Sequence, residues 1–203
     1  MFITFEGIDG SGKTTQIKLL QDYIKSLGNQ TVIIREPGGT PFSEIIRDIL
    51  LNKDIEINPV SELLLFEAAR ANLTQQVIIP ALKNGFYVLC DRFYDSTTAY
   101  QGYGRQLNLD EVLNCHKLAT LGLKPDLTFY LKLSLDESLK RSAHKKADRM
   151  ERAGREFFLR VLDGYDAIAE SEPERFVIID AAGDIEETHR KIVSFITRKS
   201  PNK

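Results

Sequence analysis

Two hydrophobic rhythms alternate along the chain. Short, nearly continuous apolar runs mark buried strands, and longer stretches with apolar residues every three or four positions mark helices. The runs are Met1–Phe5, Gln30–Arg35, Phe86–Asp91, Asp126–Leu133 and Arg175–Asp180. A first helix follows Thr14, with no breaker before Gly28. Further helices are predicted over Ser43–Leu51, Asn58–Leu82, about Asp110–Leu121, Leu135–Arg141, Phe157–Ala169 and Ile185–Arg198. Asn58-Pro59 opens the longest, and Pro80 is placed to end or bend its last turn. On Ser43–Leu51 the residues Ile45, Ile46, Ile49 and Leu50 share a side. Arg92–Gln106 reads as a polar, aromatic stretch, Arg141–Arg155 as a charged interruption, and the last few residues as frayed. β-Branched runs such as Thr31-Val32-Ile33-Ile34 suit parallel strands covered on both faces. The alternation therefore predicts one α/β domain over residues 1–203, a five-stranded parallel sheet with right-handed crossovers and helices on both faces.

Composition adds limits. With 203 residues, 42% of them hydrophobic, the chain has ample material for one core. A formal charge of −2 provides no basic field for a nucleic-acid partner. Cys90 and Cys115 stand far apart, without metal-ligand spacing, and Cys90 sits in the apolar run Tyr87-Val88-Leu89-Cys90 as a small core residue. The first apolar run is too short for a signal peptide and has no basic leader, and no stretch approaches a membrane span. A cytoplasmic, membrane-free protein is the expectation.

The chemistry centres on Gly7-Ile8-Asp9-Gly10-Ser11-Gly12-Lys13-Thr14, which fits the P-loop pattern G-x-x-x-x-G-K-[ST] with a strand before it and a helix after it. Glycines let backbone N–H groups approach phosphate oxygens at the positive end of a helix. Lys13 adds a point charge, and the Thr14 hydroxyl suits Mg²⁺. Ligands of parallel sheets gather beyond the strands' carboxyl ends, which selects Arg35-Glu36-Pro37-Gly38-Gly39-Thr40, Asp91-Arg92-Phe93-Tyr94 and Asp180-Ala181-Ala182-Gly183 as partners of this loop. Asp91 is placed as a carboxylate holding Mg²⁺ through water, although a helix cap is the plainer role for a lone Asp. The adjacent Arg92, with a fork that fits phosphate oxygens, favours the metal role.

Together with Phe66-x-x-x-Arg70, Ser96, Ala99-Tyr100-Gln101-Gly102 and Asp148-Arg149-x-Glu151, these stretches resemble the thymidylate kinase family across almost the whole chain and in order. The resemblance implies a P-loop nucleoside monophosphate kinase fold with a mobile lid at about 141–155, between strands four and five. It implies the reaction ATP + dTMP → ADP + dTDP with Mg²⁺, in a homodimer packed through helices. Gly7, Ile8, Asp9, Gly10, Ser11, Gly12, Lys13 and Thr14 would hold the ATP phosphates, with Arg141 beside them. Asp9 would also reach the sugar 3′-hydroxyl of dTMP, Phe66 would stack on thymine and Arg70 would hydrogen-bond it. Arg92 would grip the dTMP phosphate, with Arg47 a second candidate. Thr97 and Gln101 match base contacts, and Tyr100 matches the ring that crowds a ribose 2′-hydroxyl.

The P-loop interior lacks arginine, whereas phosphoryl transfer needs cationic stabilisation worth about 10³-fold or more in rate. The bacterial branch of the family supplies that arginine from the lid. Arg149 is the first choice here, with Arg141 or Arg152 in reserve, and His144 reads as a lid surface residue. Asn72-Leu73-Thr74 departs from the family's usual form after Arg70. Other readings are a switch GTPase or a kinase of another nucleotide or deoxynucleoside. The first lacks its guanine-reading motif, since Asn52-Lys53-Asp54-Ile55 has isoleucine at the required aspartate. Against the second stand the Arg-Glu-Pro-Gly-Gly-Thr loop and Tyr100-Gln101.

Overall fold

The computed structural model describes residues 1–143, 149–150 and 153–199. Five parallel strands form one sheet in the order β2-β3-β1-β4-β5: β1 Phe2–Glu6, β2 Thr31–Arg35, β3 Tyr87–Asp91, β4 Leu127–Lys132 and β5 Phe176–Asp180. The helices are α1 Lys13–Ser26, α2 Pro41–Leu51, α3 Pro59–Leu73, α4 Ile79–Lys83, α5 Tyr94–Thr97, α6 Leu109–Thr120, α7 Leu135–Ser142, α8 Arg155–Ser171 and α9 Ile185–Lys199. The expected α/β architecture is therefore present.

The central strand explains both layers. Every residue of β1 is buried, so its two faces must each find a partner. Ile3 and Phe5 face α1 and α9, packing with Ile17, Leu20, Ile24, Phe129, Ile192 and Ile196. Burying each such side chain contributes about 1.5–3 kcal/mol. The opposite face is different. It carries Thr4, hydrogen-bonded to Thr128 at 2.8 Å, and then the fully buried Glu6. This polar seam runs toward the carboxyl ends of the strands.

Strand register gathers the loops. Phe5 pairs with Asp91, and Asp91 pairs with Arg35, so β1, β3 and β2 end side by side. The chain leaves β1 for β2 and later crosses to β4, which makes the β1–β3 edge the switch point where parallel sheets bind ligands.

Three sequence expectations are adjusted. The helix through Pro80 continues, but π-helical turns at Thr74–Ile78 re-space it before α4, since proline cannot donate to the preceding turn. Of the four apolar residues expected to share a side of α2, Ile46 and Leu50 are buried, while Ile45 and Ile49 face outward. Arg92–Gln106 contains α5 followed by a buried π-helical segment, Thr98–Gly104. Glycines on both sides permit the contact with α8: a Cβ on Gly104 of the segment would lie 2.6 Å from Phe157, and one on Gly164 of α8 would lie 2.8 Å from Tyr103. Those close approaches seat α8 against the segment. Cys90 is fully buried as expected, its thiol pushed up by burial.

Candidate active site

The glycines expected of a phosphate cradle adopt the backbone it needs. Gly7, Gly10 and Gly12 have φ of 132°, 76° and 89°, and Gly12 caps the start of α1. Lys13 is buried beneath the loop, where its Nζ donates to the Gly7 carbonyl at 2.9 Å and the Ile8 carbonyl at 3.1 Å. Burial and the nearby Arg92 charge lower its pKa to about 8. The Thr14 hydroxyl donates to Asp91 Oδ2 at 2.9 Å. The two residues read as metal partners therefore converge from the start of α1 and the end of β3, and their hard oxygens fit Mg²⁺.

Loop, β3 and α8 meet at Arg92. Its φ of 69° is strained for a non-glycine residue and turns the side chain across the seam. The guanidinium donates to Asp9 Oδ1 at 2.9 Å, Ser96 Oγ at 3.1 Å and Tyr165 Oη at 3.3 Å. It also lies 5.3 Å from the centre of the Tyr100 ring, which Phe157, Phe158 and Tyr165 flank edge-on. Glu6, which had no assigned role, anchors this arrangement. It accepts from Phe93 N at 2.7 Å, from Ser96 Oγ and from Tyr165 Oη at 3.0 Å. Burial and then Asp95 raise its pKa to about 7. A carboxylate ending a buried strand just before a P-loop was the available sequence signal.

A second cluster lies deeper. Arg70, 1% exposed, donates to Glu36 Oε2 and to Thr97 Oγ1 at 2.8 and 2.9 Å, and pairs with Glu67. Burial raises Glu36 to about 7, only partly offset by Arg70. Glu67 also accepts from His116 Nδ1 at 2.8 Å; burial lowers the pKa of that imidazole. Gln101 donates its Nε2 to Glu62 Oε1 at 2.7 Å.

The loop, Arg92 and the buried cluster meet around one cavity of about 490 Å³. Its walls bring together Asp9, Gly10, Gly12, Lys13, Thr14 and Asp91 from the nucleotide side. Arg47, Phe66, Arg70, Arg92, Thr97, Tyr100 and Gln101 come from the other side. Arg47 donates to the Pro37 carbonyl at 2.8 Å. Gly7, Ile8 and Ser11 form the loop beneath without lining the cavity, and Ile8 packs into the α8 core. Arg141 reaches the loop's edge, donating to the carbonyls of Gly10, Ala181 and Ala182 at 3.0–3.3 Å. Arg149 lies elsewhere, donating to the Leu50 carbonyl at 2.8 Å and to Glu62 Oε2 at 2.6 Å. His144, Asp148, Glu151 and Arg152 lie outside the described residues.

A family model described as "Thymidylate kinase" matches residues 5–192. The chain belongs to the thymidylate kinase family. Among relatives, a thymidylate kinase of Chlorobaculum parvum is 48% identical, covering 96% of this chain and 94% of its own. One of Thermoanaerobacter sp. strain X514 is 43% identical, with 97% of both chains covered. The crystal structure of thymidylate kinase from Ehrlichia chaffeensis matches with a TM-score of 0.79 and 36% identity, covering 97% of this chain and 98% of the other. Family membership makes the chain a nucleoside monophosphate kinase, a phosphotransferase, and agrees with the P-loop kinase fold read from the sheet. The switch-GTPase reading is thereby set aside. No described helix is long and apolar enough to cross a membrane.

Proposed function

We propose that this chain transfers the γ-phosphoryl group of ATP to dTMP, giving dTDP. The observation that carries this reading is the single cavity joining a P-loop to a buried arginine–carboxylate cluster next to Arg92 and Tyr100. Backbone N–H groups of Gly7–Thr14 and the Lys13 ammonium bind the ATP phosphates, for which Lys13 exchanges its loop carbonyls. Arg92 holds the acceptor phosphate and Asp9 the sugar 3′-hydroxyl, so their mutual ion pair pre-positions both groups. Phe66 stacks on the base while Arg70, Thr97 and Gln101 read its edge, and Tyr100 fills the space of a 2′-hydroxyl. Mg²⁺ would be held by Thr14 and, through water, Asp91, neutralising charge on the transferring phosphates.

Migrating charge also requires an arginine, since transfer proceeds through a loose transition state that positioning and electrostatics stabilise. We assign Arg149, which must leave Glu62 and the Leu50 carbonyl on substrate binding; Arg141 already borders the loop on the ATP side. A homodimer is supported by the outward-facing Ile45 of α2, Val60 and Leu64 of α3 and Leu113 of α6, on helices packed side by side. Sedimentation of the purified protein at twice the chain mass is the expected result, and a monomer at micromolar concentration contradicts it.

The reaction is tested with a panel of nucleoside monophosphates, ATP and Mg²⁺, scored for ADP release. dTMP should lead; equal rates with AMP or CMP contradict the substrate assignment.

A further inference from the structure

Glu62 is fully buried on α3, yet it does not line the cavity. Its carboxylate receives four side-chain donors. Gln101 Nε2 binds Oε1 at 2.7 Å, Arg105 spans both oxygens at 3.2 Å, and Arg149 binds Oε2 at 2.6 Å. Although burial pushes its pKa up, Arg105, Gln101 and Arg149 hold it below the ordinary carboxylate range, so it stays ionised. An ionised carboxylate only accepts hydrogen bonds. It therefore dictates which end of the Gln101 amide faces it: the NH₂ group turns to Glu62 and the carbonyl oxygen turns away. Gln101 itself lines the cavity beside Arg70 and Thr97.

We propose that Glu62 is a positioning residue that sets nucleobase specificity, by locking the Gln101 amide with its carbonyl oxygen toward the base. The inference rests on the reading of Gln101 as a base contact. An acceptor at that position matches the N3–H of a pyrimidine-2,4-dione, whose flanking carbonyls suit arginine donors. Cytosine offers the reverse pattern, an unprotonated N3 beside an amino group, and meets acceptor against acceptor. Sites built around a required hydrogen bond reject its reversal by large factors, because the buried group is left unpaired. Were residue 62 an amide, either polarity of the pair would be satisfied and Gln101 could flip to suit cytosine.

The test compares kcat/KM for dTMP and dCMP across wild type, Glu62→Gln, Gln101→Ala and the double variant. Glu62→Gln is expected to lower the dTMP-to-dCMP ratio at least about tenfold, and to change that ratio no further when Gln101 is already Ala. A purely structural role, or an effect through Arg149, lowers both nucleotides alike; an unchanged ratio overturns the proposal. If Gln101→Ala alone leaves kcat/KM for dTMP unaltered, the base-contact reading fails instead. Should Glu62→Gln not fold, wild type decides by NMR with ¹⁵N-labelled protein and dTMP. A protected N3–H on bound dTMP, with the Gln101 NH₂ signals unmoved, is expected. An exchanging N3–H with NH₂ signals shifted by dTMP contradicts it.

Discussion

The cavity's two sides are built by opposite means. The nucleotide side is backbone: glycines in positive-φ turns, one lysine beneath and a hydroxyl–carboxylate pair at 2.9 Å. The acceptor side is side chain, a set in which Arg70, Glu36, Glu67, Thr97 and His116 are hydrogen-bonded to one another in the interior. Phosphate looks alike on every nucleotide, so a cradle of N–H groups suffices for it. A base is told from other bases by donor and acceptor pattern, which requires side chains held in fixed orientation. Holding buried charges requires pairing them, so recognition on that side is coupled to stability.

Breaking each side separately should show this difference. Lys13→Ala removes the loop's cation and is expected to lower kcat by about 10³-fold while leaving a cooperative, native-like melt; unchanged turnover in a coupled ADP assay refutes the role. Arg70→Met strands Glu36 and Glu67 without their cation. It should cost about 3–5 kcal/mol in urea unfolding, and a loss below about 1 kcal/mol would show that the cluster does not support the fold. A smaller effect concerns pH. Burial and Arg92 favour neutral Lys13, so the free enzyme loses this charge as pH rises through about 8. The value of kcat/KM for ATP should accordingly fall with rising pH, half-lost near that point, and a profile flat through it contradicts the assignment.

The same contrast explains what the sequence disclosed. A backbone cradle needs contiguous residues, so Gly7–Thr14 was readable directly, as were the five strands that place it. Asp91 and Arg92 were readable because they end a buried run. The acceptor side draws on β1, β2, α3, α5 and the π-helical segment, and no local pattern joins them. Phe66, Arg70, Thr97 and Gln101 came only through family resemblance. Glu6, Glu62 and Tyr165 were missed, since each acts through residues distant in the chain. The helical nature of Tyr94–Gly104 is hidden by its glycines, of which Gly102 packs closely against Leu109 and Gly104 against α8. Arg149 was read as facing phosphate, whereas its present partners are Glu62 and Leu50, a geometry that spacing alone does not reveal.

One cavity thus holds two separately constructed subsites. Calorimetric titration of ATP and of dTMP into Lys13→Ala and Phe66→Ala measures that division most directly. Lys13→Ala should weaken ATP at least about tenfold while dTMP stays within about threefold, and Phe66→Ala should do the reverse. If each variant weakens both ligands equally, the division into two subsites is wrong.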